Sequence, residues 1–125
     1  MSRSGFVVKV PAEGAIVKAP FDKEHSYKQL SDAVGGYIEC AVIPRVGHSG
    51  PYEVDCFVNE EGLLKHLPFN PRLTAFASSV YDGPLVGDGI FVGHDGEGET
   101  VGLEEGDADE LVKMLESIPE DSLPY

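Results

Sequence analysis

Tyr52-Glu53-Val54-Asp55-Cys56-Phe57-Val58-Asn59-Glu60-Glu61-Gly62 decides the fold. Its first half alternates with period two, which is the pattern of a β-strand. Tyr52, Val54, Cys56 and Val58 are expected to point inward, and Glu53 and Asp55 outward. Its second half is a turn. Asparagine opening and glycine closing four residues suits a type I turn with a glycine bulge, and Leu63-Leu64 would then begin a further short strand.

Upstream, Tyr37 to Val46 alternates in the same way. Ile38, Cys40 and Val42 share one face; Tyr37, Glu39, Ala41 and Ile43 share the other, half exposed to water. The composition of 45–51 is that of a loop, so the two strands are expected to pair antiparallel across it. Phe6–Val10 and Ala15–Ala19 read as a hairpin joined by Pro11-Ala12-Glu13-Gly14. Tyr27, Leu30 and Val34 repeat at helical spacing after Ser26, the expected N-cap, and Gly35-Gly36 ends that helix.

Downstream, Asn70 is placed to cap, and Pro71 to start, a short helix through Ala77. Leu85 to Gly93 is apolar and glycine-laced, a bent strand; His94 to Glu99 is a polar acidic turn. Thr100–Leu103 is expected to form the strand after it. Asp107 and Glu110 resemble a capping box ahead of Ala108, Leu111, Val112 and Leu115. The sum is a single α+β domain over 1–125, with 119–125 a loosely held tail. A mostly antiparallel sheet of about five or six strands would be packed by two main helices. Its edge strand would be available for self-association, so a homo-oligomer is a candidate state.

Composition narrows the functions. The chain has 125 residues and is 42% hydrophobic, enough for a core. It carries 22 acids against 9 bases, a formal charge of −13. Half of those acids, 11 of them, fall in residues 95–125, where Lys113 is the one base. Such charge repels phosphate and favours basic partners, so direct nucleic-acid binding is not expected. With no long apolar run, no membrane span is expected, and a cytoplasmic protein is the default reading. Cys40 and Cys56 lie in alternating runs at positions read as inward, as buried reduced thiols.

Chemistry is sparse. His25, His48, His66 and His94 pair with no His or Cys at metal-ligand spacing, so neither metal nor cofactor is expected. The acids near His94 lack a calcium-loop pattern. Gly87-Asp88-Gly89 lacks the lysine and spacing of a phosphate loop. No nucleophile–base constellation is visible, so the chain is not expected to be an enzyme. Residues for contact remain: Asn59, Glu60, Glu61 and Asn70 for recognition, Arg45 and Arg72 to clamp a small anion, and Asp107, Asp109 and Glu110 as an acidic surface.

Four segments carry a family resemblance: Leu30–Glu39, Val58–Leu64, Leu67–Asn70 and Leu85–Gly93. In this order the chain resembles the small proteins grouped as domain of unknown function 3846, over about residues 6–117. The resemblance implies a compact α+β domain and a phage or mobile-element source, and it transfers no catalytic residue. Asp95–Glu99 is a longer acidic loop than that family leads one to expect. Two functions follow as expectations. One is a non-catalytic accessory protein whose acidic surface imitates DNA charge and engages a basic host protein in the host cytoplasm. The alternative is a small-ligand binder, a sponge for a nucleotide signal in anti-defence, with Arg45 or Arg72 meeting phosphate.

Overall fold

A computed structural model describes residues 5–42, 52–78 and 83–119. The loop expected at 45–51, with Arg45 and His48, lies outside them, as do residues 120–125 of the expected tail.

β1 (Phe6–Val10) and β2 (Val17–Pro20) form the expected hairpin, Phe6 opposite Pro20 and Lys9 opposite Val17. α1 (Ser26–Val34) follows. It starts one residue before the sequence suggested: His25 is the N-cap, and no side chain caps the helix. Gly35 ends it in the left-handed conformation, φ 79°, where a side chain would be strained. β3 (Ile38–Val42) and β4 (Tyr52–Asn59) pair antiparallel, with a bulge between Cys40 and Val42. α2 (Pro71–Ala77), β5 (Gly89–Asp95), β6 (Thr100–Val101) and α3 (Glu105–Glu116) complete the chain.

Among the described residues the sheet has six strands, in the order β2-β1-β5-β4-β3 with β6 also on β5, and all of their pairings are antiparallel. β5 is therefore central. Helices cover both faces. On one, Leu30 and Val34 of α1, with Phe21, pack on Val7, Ile90 and Val92. On the other, Leu73 and Ala77 of α2 and Ala108, Leu111 and Leu115 of α3 pack on Val8, Val54, Cys56 and Phe91. Phe76 meets Phe91 edge-on at 5.6 Å between centroids. The result is a single small α+β domain, with three helices among the described residues.

Two-sided cover corrects the inward/outward reading of β4. Asp55 was expected in water, yet it is only 7% exposed, because its face carries α1 over Phe57 and Ile90. Cys56 is fully buried as expected, but Cys40 is exposed. β3 is an edge strand, and Cys40 sits opposite Phe57 on the α1 face, away from Cys56. Leu63-Leu64 forms no strand. Residues 60–66 are successive turns, closed by Lys65 N–H to Glu61 O at 2.9 Å and Leu67 N–H to Gly62 O at 3.0 Å. Leu63 and Leu64 consequently stand 70% and 81% exposed. Gly62 is not among the glycines of positive φ, so there is no glycine bulge; His66 takes the left-handed conformation instead, φ 55°. α3 begins at Glu105, ahead of the expected capping box, with Glu104 as N-cap and no side-chain cap bond.

Candidate functional site

The polar residues singled out in the sequence divide by what their side chains touch. Asn59 is 5% exposed. Its Nδ2 donates to the Val34 carbonyl at 3.1 Å, and its Oδ1 accepts the Glu61 N–H at 2.8 Å. It ties the end of α1 to the turn after β4. Asn70 is completely buried. Its Oδ1 accepts the Leu73 N–H at 3.0 Å as the α2 cap, while Nδ2 donates to Val10 O and Gly87 O at 3.0 and 2.9 Å. One amide thus joins β1, α2 and the lead-in to β5. Glu60 is exposed, and Glu61 pairs with Lys65 at 3.4 Å. Arg72 donates its Nε to Ile118 O at 2.7 Å, holding α2 to the segment after α3. Arg45 is outside the described residues. These side chains are not brought to one place.

The acids are brought together. A cleft of about 940 Å³ opens where the start of β1, the β5–β6 turn and the N-terminus of α3 meet. Phe6, Phe21 and Leu103 supply apolar lining; Asp95, Glu99, Glu104 and Glu105 supply acids, against Lys23. Asp95 shapes the turn, its Oδ1 accepting the N–H groups of Glu97 and Glu99, both at 2.9 Å. That leaves Glu97 and Glu99 projecting from a fixed backbone, both exposed. On α3, Asp109 and Glu110 are exposed and Asp107 is half-buried. Lys18 crosses from β2 to this end, 2.6 Å from Asp109 and 3.3 Å from Glu105, its ammonium 4.8 Å from the Phe6 ring centroid. The Asp109 hydrogen bond, foremost, raises the Lys18 pKa above its ordinary value. An ammonium between carboxylates and an aromatic face is thus already part of this end of the molecule.

Strands β4 and β5 hold a pair that sequence reading missed. Asp55 Oδ2 lies 2.7 Å from His94 Nδ1. His94 was read as part of an acidic turn; it is on β5, opposite Glu53 of β4 and Thr100 of β6. Thr100 and Asp95 both line the cleft. The available signal was the period-two series Ile90, Val92, His94, which extends the strand past Gly93. Cys40 feels the same carboxylate: burial, then the Asp55 charge, raises its thiol pKa, so it stays protonated and a poor nucleophile. Burial raises the Cys56 thiol further. Among the described residues, no three His, Cys, Asp or Glu side chains converge to hold a metal ion. No described helix is long and apolar enough to cross a membrane.

The fold and this end of it define a small α+β domain with an acidic, partly apolar cleft. The model of the family described as Domain of unknown function (DUF3846) matches residues 6–116, and the chain belongs to that family. No curated protein and no solved structure matches it significantly.

Proposed function

We propose that the chain is an accessory binding protein whose acidic end engages a basic protein, as an element of a phage or other mobile genome acting inside its host. The observation that carries this reading is the cleft. Four carboxylates at its wall surround apolar lining, a combination that suits an arginine or lysine side chain with its aliphatic stem. Long-range attraction would speed the encounter, and a cation seated on the aromatic lining would hold it. Asp107, Asp109 and Glu110 of α3 extend the negative surface beyond the cleft. The nucleotide-sponge reading has less support: a phosphate at this end would meet carboxylates, and Arg72 already donates its Nε to Ile118 O.

Affinity capture from host lysate at low and at high salt tests the proposal. A basic protein retained at low salt, released at high salt, and lost with Glu99→Gln/Glu104→Gln is expected. Capture of no basic protein, or capture indifferent to the double substitution, would contradict it.

A further inference from the structure

We infer that Lys18 is a tethered stand-in for the partner's cation, displaced when an arginine-rich segment enters the acidic end; this rests on the binding reading above and names the ligand that site would take. Lys18 stands opposite Val8 in the β1–β2 ladder, so both side chains leave the sheet on the same face, the one that α3 covers. From there its ammonium reaches Asp109 Oδ1 at 2.6 Å and Glu105 Oε2 at 3.3 Å, and stands 4.8 Å from the Phe6 ring centroid. Lys18 is not part of the cleft wall, but two of the groups it touches, Phe6 and Glu105, are. The chain already supplies to those two groups what a partner would bring, a cation on an aromatic ring beside carboxylates.

The contact is exchangeable. Glu105 and Asp109 are exposed and the Lys18 side chain is partly so, which lets a ligand reach all three. Ion pairs in such a setting are weak. Lys18 still competes well, because its tether holds it at a high effective concentration. One free ammonium offers these carboxylates nothing that Lys18 does not, and it lacks the tether. A segment with several guanidinium groups differs in two respects. Each guanidinium grips a carboxylate with two donors and stacks on an aromatic ring. Its neighbours can engage Asp95, Glu99 and Glu104 on the same wall. Lys18 therefore sets a threshold that favours multiply charged, arginine-bearing partners over single amines.

N-acetylated octa-arginine amide tests this, because it carries no amine. Lysines of the full chain can be acetylated with acetic anhydride in its presence and read by mass spectrometry. Lys28, 2.7 Å from Asp32 on α1 and outside the cleft lining, is the reference. Saturating peptide should speed acetylation of Lys18 severalfold relative to Lys28, since the ammonium loses the Asp109 hydrogen bond that foremost keeps it charged. Lys18→Met keeps an apolar stem and removes the charge. It should bind the peptide about tenfold more tightly, the gain when about nine-tenths of the free protein is occupied by its own lysine. Lys23→Met removes a like charge from the cleft wall but no competitor, so it should gain much less. Equal gains in the two variants, or a bound peptide that leaves Lys18 acetylation unchanged or slower, would overturn the inference and leave the binding reading standing. A peptide that binds neither the wild type nor either variant would overturn both.

Discussion

Two ends of this molecule hold polar side chains in opposite ways. Around Asn59 and Asn70 the amides are buried and every bond goes to the chain's own backbone. The Asp95 side chain fixes the backbone of the β5–β6 turn, and the carboxylates there and at the start of α3 face solvent. The first arrangement holds strands and helices in place. The second presents exposed carboxylates in excess of the bases near them, Lys18 and Lys23, which suits recognition of something else. Substitutions at the first end should therefore change stability, and those at the second should change binding.

The largest effect is expected at Asn70. Asn70→Ala removes the α2 cap and leaves Val10 O and Gly87 O without their donor in a dry site. Loss of about 3–5 kcal/mol is expected, read by urea denaturation. Asn70→Asp is the sharper control, since it keeps the cap acceptor and loses the donor. It should be as damaging; full stability would show that only the cap matters.

Asn59 comes next. Asn59→Ala should cost about 1–3 kcal/mol, from the unmatched Val34 carbonyl and the loosened turn. Gly36→Ala should act on the same joint, because a Cβ there would lie 2.7 Å from Asn59 Nδ2. If the two losses simply add in the double variant, the joint is not shared.

The contrast shows which features could be read in the sequence and which could not. Asn70-Pro71 announced α2, because a capping side chain and a proline act within one turn. Gly35 announced the end of α1 for the same reason. The β1–β2 and β3–β4 pairings followed from alternation and the breaks between runs. Alternation reveals that a strand has two faces; it does not say how many are covered. Asp55 was misplaced on that account, since α1 arrives from residues 26–34 to cover its face. Cys40 was misplaced for the converse reason: an inward-looking position at a sheet edge outruns the helix above it. The His94–Asp55 pair depends on the β4–β5 register between residues 39 positions apart in the chain, so neither residue signals the other locally. Asn59 and Asn70 were read as recognition residues, Asn59 also as opening a turn and Asn70 also as the α2 cap; the cap is observed, and both side chains are buried against the chain's own backbone, partners that no local pattern reveals.

Smaller effects belong to the acidic end. Lys18→Met should lower the melting temperature only slightly, since exposed ion pairs contribute little. The pH dependence has a definite sign. The Lys18 pKa is raised above 10.5, so its contribution is full below pH 10.5 and fades as pH climbs through the folded value. Salt should diminish the same contribution. Glu99→Gln/Glu104→Gln should leave the denaturation midpoint almost unchanged, within about 0.5 kcal/mol. A large loss there would place these carboxylates with the structural end.

Titration of a fluorescent oligolysine peptide, followed by anisotropy at several salt concentrations, tests the central claim most directly. Saturable binding that weakens with salt, and weakens again in Glu99→Gln/Glu104→Gln while Glu60→Gln/Glu61→Gln leaves it unchanged, is predicted. Equal affinity of all three proteins for oligolysine would contradict it, because the charge would then act as a diffuse cloud with no site.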